Sequence, residues 1–116
     1  MILLHCLPGL HHSLTTGFAV MKVHLLEAEL YSFEKQNEEA KSSYAAAISA
    51  SRSSRFTHEE GLACELAGLH NVKIGDIQSA LGYFQQAKEC YTQWGSQMKV
   101  DKINEQLELF SGVQSR

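Results

Sequence analysis

Proline is almost absent from this sequence: Pro8 is the only one in 116 residues. Runs of β-branched residues alternating with turn dipeptides are missing as well, so the composition argues against a protein built from strands. Alanine, leucine, glutamate, glutamine and lysine make up much of the remainder, and these residues favour helices. We therefore expect an all-α protein.

A surplus of basic charge is also lacking. The formal net charge is −3 and the isoelectric point is near 6.0. A nucleic-acid-binding module normally carries a basic stripe that neutralises phosphates, so we expect no nucleic-acid partner. No stretch of 18 apolar residues is present, and we expect no association with a membrane.

Cysteines are few, and their spacing fits neither a disulfide framework nor a structural zinc site. Cys6, Cys64 and Cys90 are an odd number, lie far apart and form no CxxC pair, so reduced thiols in the cytoplasm are the prediction. The first eight residues lack a basic leader and have too short an apolar run for a secretory signal. We predict that Cys64 and Cys90 pack in the core as small apolar residues.

Catalytic signatures are missing from the sequence. It has no glycine-rich phosphate loop and no GxSxG motif, and its neighbouring acids have no histidine at a defined spacing. We therefore predict a protein that is not an enzyme and needs no cofactor. The alternative is a small all-α metal-binding protein or enzyme that uses the histidine- and cysteine-rich start, where imidazole and thiolate groups are zinc and copper ligands: His5, Cys6, His11 and His12. Their spacing matches no known zinc module, and a structural role is the favoured interpretation.

An internal repeat is the most informative feature. Shifting the sequence by 40 residues aligns the small and aromatic positions of two copies: Ala28, Tyr31, Ala40, Tyr44 and Ala47 with Gly68, Asn71, Ala80, Phe84 and Ala87. Small residues let two antiparallel helices approach closely, and a ring from the second helix fills the space beside the crossing. Asn71 breaks the pattern, because Tyr31 predicts a ring there.

Turn and capping residues divide the chain into helices. Gly75 can adopt the left-handed conformation, Asp76 can cap the following helix, and Gly95 with Ser96 marks the next junction. The predicted organisation is a poorly specified segment or short helix over 1–17, helix pairs over about 18–53 and 58–94, a cap helix over 97–110, and a frayed tail over 111–116. Met98, Ile103, Leu107 and Phe110 are expected to cover the open end of the second pair.

The alternation of small and aromatic residues resembles the tetratricopeptide repeat, a helix-turn-helix unit of about 34 residues. The resemblance covers roughly residues 20–110. It implies antiparallel helix pairs stacked as a short right-handed solenoid with a C-terminal capping helix. The longer spacing here implies an extended second helix.

A narrower resemblance concerns very large signalling proteins that combine a kinase-like domain, an ATPase region, helical repeats, a GAF domain and a histidine kinase. The matching residues close the second pair and open the next helix: Tyr91, Trp94, Gly95, Lys99 and Val100. This likeness implies a regulatory interaction module. We interpret Trp94 as an anchor of this junction.

The function expected from these features is a non-catalytic protein–protein interaction module. Its partner is a protein, a peptide or a neighbouring domain of a larger parent, held on the concave face of the stack. The first helix of each pair lines that face, and the candidate residues are Lys22, Leu25, Glu29, Ser32, Phe33, Leu62, Glu65, Leu69, Val72 and Lys73. The residues before position 15 are strongly apolar, and Pro8 and Gly9 interrupt them, so we expect no regular capping helix to cover this apolar end of the stack. We therefore also predict a homodimer.

Overall fold

The structure, a computed structural model, describes residues 13–115, with side chains described for residues 19–112. These residues form five helices and no strand: α1 (Ser13–Phe33), α2 (Asn37–Ser53), α3 (Thr57–Lys73), α4 (Ile77–Trp94) and α5 (Gln97–Ser115). The chain divides into two compact units, one ending at Phe56 and the other beginning at Thr57. In the first unit α1 packs against α2, and in the second α4 packs against both α3 and α5.

The helix junctions recur every 20 residues. A residue with positive φ follows each of the first four helices, at Lys35, Arg55, Gly75 and Gly95. The next amide in each case donates to a carbonyl five residues earlier, as in Gln36 to Tyr31 at 2.9 Å. This is the Schellman pattern that closes a helix with a left-handed residue. At Gly75 (φ +86) the predicted left-handed turn is confirmed.

Lysine and arginine occupy two of these left-handed positions, where glycine would be unstrained. Lys35 has φ 63 and Arg55 has φ 62, a conformation that costs an L-residue about 1–2 kcal/mol. The predicted cap of α4 is confirmed, since the amide of Ser79 donates to the Asp76 carboxylate at 3.2 Å.

The 40-residue spacing predicts an extended second helix in each pair, but the second helix accounts for only half of the extra length relative to a 34-residue repeat. Helices α2 to α5 begin at residues 37, 57, 77 and 97, so each helix with its turn takes 20 residues. The lengthening relative to a 34-residue unit is therefore shared equally between the two helices of a pair.

The first unit has its core on one face of each helix. On α1 the buried residues are Met21, Leu25, Ala28 and Ser32, and on α2 the principal ones are Ala40, Tyr44 and Ala47. Ala28, Ala40 and Ala47 have no exposed surface. These alanines occupy the predicted crossing positions, where a small side chain lets the helix axes approach.

The second unit keeps two of the crossing alanines at the equivalent positions and changes the other residues. Ala80, Phe84 and Ala87 are fully buried on α4. A Cβ atom built on Gly68 would lie 2.6 Å from Cε1 of Phe84, so this helix crossing is too close for alanine without movement of the ring. Asn71 is 2 % exposed, and its amide donates to the Ala67 carbonyl at 2.8 Å.

Helix α5 covers one side of α4 through two of the four predicted residues, Ile103 and Phe110, together with Val100. Ile103 is fully buried and Val100 is 8 % exposed, and Phe110 stacks on Phe84 with ring centroids 5.9 Å apart. Met98, predicted to belong to this cover, is 79 % exposed. Five residues separate Met98 from Ile103, which places them about 140° apart on a helix.

Both ends of the described chain are more helical than predicted. Helix α5 continues to Ser115, where a frayed tail was expected from 111 onwards, and α1 begins at Ser13. Gly112 costs a helix only about 1 kcal/mol, and the contact between Phe110 and Phe84 holds α5 in place just before it. Residues 1–12, including the predicted histidine and cysteine cluster, lie outside the described residues.

Candidate partner-binding surface

Five of the ten predicted surface residues are exposed, and their positions follow helical geometry. These are Lys22, Glu29 and Phe33 on α1, and Leu69 and Lys73 on α3. Each lies about 100–140° around its helix from the residue at the crossing, Ala28 or Gly68. Phe33 is the most accessible apolar side chain among them, with 81 % of its surface exposed.

Three other predicted surface residues are buried in their own units. Leu25, Ser32 and Glu65 are 9 %, 6 % and 8 % exposed. They lie three or four residues from Ala28 or Gly68, which turns them towards the helix that packs there. Leu62 and Val72 are half-buried. Fewer of the ten predicted residues are therefore accessible to solvent than the sequence predicts.

Glu65 belongs to a polar network that joins the three helices of the second unit. The Tyr91 hydroxyl donates to Oε1 of Glu65 at 2.8 Å, and Nζ of Lys99 lies 3.4 Å from the same oxygen. The Lys99 ammonium also lies 5.1 Å from the centroid of the Tyr91 ring. Because a buried carboxylate needs charge and hydrogen bonds in place of water, this network ties α5 to α3 and α4.

The network requires glycine at position 61. A Cβ there would lie 2.9 Å from Cε1 of Tyr91. In the first unit the positions 40 residues earlier hold Met21 and Ser51. The large side chain therefore lies on the first helix of the pair in one copy and on the second helix in the other. Burial and the hydrogen bond to Glu65 raise the pKa of Tyr91 above its usual value.

A second tyrosine–glutamate contact lies in the first unit. The Tyr44 hydroxyl donates to Oε2 of Glu29, a residue predicted to face a partner. Burial, followed by this hydrogen bond, raises the pKa of Tyr44. One carboxylate oxygen of Glu29 is therefore hydrogen-bonded to α2, while the residue remains exposed to solvent.

Trp94 lies at the end of α4 and packs on the start of α3. Its ring stacks on His58 with centroids 4.2 Å apart, and 51 % of its surface is exposed. Nδ1 of His58 is 3.2 Å from the Glu59 carboxylate. The structure thus places Trp94 against the first helix of its own pair.

The sequence did not predict an acidic groove in the first unit. It lies between the end of α1 and the start of α2 and is lined by Tyr31, Glu38, Glu39, Ser42 and Ser43. Adjacent acids at a helix start are common, because they interact favourably with the helix dipole, so the sequence contains no distinctive signal for this groove.

Helix α1 has a second apolar face, which the sequence did not predict either. Leu26, Leu30 and Phe33 are 69 %, 55 % and 81 % exposed. They lie on the side of α1 opposite Ala28, the residue buried against α2. The spacing of these residues contains a signal for this face, but the opposite face also carries apolar residues at helical spacing, Met21, Leu25 and Ala28.

Cys64 and Cys90 are buried, as predicted, and Sγ of Cys64 lies 3.8 Å from Oε1 of Gln86. Within the described residues no group of three histidine, cysteine or acidic side chains is placed to hold a metal ion. None of the helices in that part of the chain is both long and apolar enough to cross a bilayer.

The paired helices, the small residues at their crossings and the periodic turns define a helical-repeat protein. The family model of the tetratricopeptide repeat matches residues 22–54 and 71–93, so these two segments are similar to that repeat. The second match begins only at Asn71, after the departures from the first copy at Gly61, Glu65 and Gly68. No curated protein and no solved structure matches the chain.

Proposed function

We propose that this chain is a non-catalytic module that binds a protein or peptide through the exposed residues of the first helix in each pair. Tetratricopeptide repeats form scaffolds for protein–protein interaction, and their match to this chain is the observation that carries the proposal. Shape and a few apolar anchors supply the affinity of such surfaces. On α3 these anchors include Leu69, with Lys73 one turn further along to orient an acidic group of the partner.

A library of displayed peptides selected against the purified chain tests this proposal. Selected peptides should bind with a measurable Kd, and Leu69→Ser should weaken binding at least tenfold because an apolar anchor is lost. Leu109→Ser is the control, since Leu109 is an exposed leucine on α5, a helix that is not the first of either pair. Equal binding by the two variants would exclude α3 as a binding helix.

We further propose that the module works in the cytoplasm, as a regulatory segment of a signalling assembly that contains an ATPase or kinase, or beside such a protein. The sequence resemblance around Tyr91, Trp94 and Gly95 supports this context. The neighbouring reading frame in the genome tests it, because a flanking ATPase or GAF region is expected.

Self-association through the apolar amino-terminal segment is also proposed. Leucines and an isoleucine make up much of residues 1–14, and an apolar segment of this kind favours a two-fold contact between copies. Light scattering at micromolar concentration should give a dimer mass that falls to the monomer when residues 1–14 are removed. A monomer mass in both samples would contradict the proposal.

A further inference from the structure

The second apolar face of α1 has the spacing of a coiled-coil seam. Its residues are separated alternately by four and three positions, and together they form what we name the α1 seam: Ala19, Val23, Leu26, Leu30 and Phe33. The first two are half-buried, and the three large residues are 55–81 % exposed. A helix with this repeat on an open face offers holes for the side chains of another helix.

Charged residues border the α1 seam on both sides. They occupy the positions next to the seam that face the edges of a paired helix: Lys22, Glu27, Glu29 and Glu34. Nδ1 of His24 lies 3.4 Å from Glu27, and Tyr44 donates to Glu29. A neutral hydroxyl leaves the charge of Glu29 in place, so the border is predominantly acidic.

We infer that the α1 seam binds a basic amphipathic helix, with apolar residues in the seam and lysine or arginine along both edges. This inference rests on the proposed function and names the class of partner that binds the α1 seam. Opposite charges at the edges of paired helices set partner choice. A second copy of α1 fits less well, since its own acidic border would meet this one.

Chain length argues against residues 1–12 as the cover of the α1 seam. Twelve residues in a helix span about 18 Å, whereas Leu30 lies about 25 Å along α1 from Ser13. An extended segment could reach further, but its side chains alternate with period two and do not match a spacing of three and four. An anionic lipid surface is disfavoured by the acidic border, because helices that lie on such membranes carry basic polar faces.

Two synthetic helical peptides of about 18 residues test this inference on the full chain. Both have leucine at the seam positions, and one has lysine and the other glutamate at the edge positions. The lysine peptide should bind at least tenfold more tightly at about 50 mM salt, and this ratio should shrink at about 500 mM, where charges are screened. Equal binding of the two peptides at low salt would overturn the inference.

Variants then locate the binding. Leu30→Gln should weaken the lysine peptide at least tenfold, whereas the matched Leu109→Gln, at a leucine that is 62 % exposed on α5, should not. Binding that survives Leu30→Gln but is lost with Leu69→Ser would overturn the α1 seam and leave the proposed function standing. A dimer of the chain without peptide that Leu30→Gln dissociates would also overturn the inference, because a second copy of the chain would then occupy the α1 seam.

Discussion

The close contact between Gly68 and Phe84 makes a sharp test of the packing in the second unit. In Gly68→Ala, the added Cβ would lie 2.6 Å from Cε1, 2.8 Å from Cδ1 and 3.0 Å from Cζ of the ring. The ring has little freedom to retreat, because Phe84 is fully buried and is stacked on Phe110. Overpacking of this kind costs about 1–3 kcal/mol.

Gly82→Ala is the matched control for this change. Gly82 lies within α4, and a Cβ there would have no atom within 4 Å. Both variants gain about 1 kcal/mol from the higher helix propensity of alanine, so this contribution cancels when they are compared. The difference between their free energies of unfolding is therefore the packing cost, about 1–3 kcal/mol.

Urea denaturation followed by circular dichroism measures both free energies. In a unit of this size, 1 kcal/mol corresponds to about 4–8 °C in Tm, so thermal melting gives a second measurement. Phe84→Leu in the Gly68→Ala background should recover part of the loss, since neighbouring residues are not additive. Equal stability of Gly68→Ala and Gly82→Ala would refute the close approach of α3 and α4.

Further predictions concern the crossings, the turns, the buried tyrosine and the thiols. Ala40→Leu and Ala80→Leu should each destabilise the fold by about 1–3 kcal/mol, measured by urea titration, since neither alanine is exposed; parent-like melting of both would contradict the repeat register. Arg55→Gly should stabilise by about 1 kcal/mol in the same assay because it relieves a left-handed residue, whereas Arg52→Gly, inside α2, should destabilise; a loss in both would refute the strain. The raised pKa of Tyr91 means that the unfolded chain ionises first at this residue, so Tyr91 should contribute a fall in stability of about 1.4 kcal/mol per pH unit above about pH 10, beside the contribution of Tyr44; Tyr91→Phe should reduce the slope by this amount, and identical pH profiles would oppose the assignment. Strong reductant should leave Tm unchanged, because the two described cysteines form no disulfide, and a large fall would point to a disulfide.

The repeat and the ends of its helices could be predicted from the sequence because they depend on local chemistry. Glycine at position 75 takes a left-handed turn wherever a helix must stop, and Asp76 caps the next helix with its own side chain. The alanines at 40 and 80 likewise mark crossings, since close approach of two helices requires a small residue. These effects act within one turn of helix, so a single sequence displays them.

The candidate surface was harder to predict because neighbouring positions on a helix differ by only 100°. Glu65 and Leu69 are four residues apart, yet one is buried against Tyr91 and Lys99 while the other is exposed. Met98 is an apolar residue and was expected in the core, but α5 packs through Val100 and Ile103 and leaves Met98 in solvent. Periodicity identifies an apolar face, but the rotation of a helix about its axis is decided by the neighbour against which it packs.

Tertiary structure alone decided how the two copies of the repeat differ. Met21 and Ser51 in the first unit are replaced by Gly61 and Tyr91 in the second, and the ring fits only where glycine faces it. The alignment of the two copies shows each substitution separately. That the small Gly61 makes room for the large Tyr91 is visible only from the atoms that meet between α3 and α4. Helical propensity is a property of neighbouring residues, whereas the volume of a core is shared between residues distant in sequence, and this is why the sequence determined the helices and the packing determined the surface.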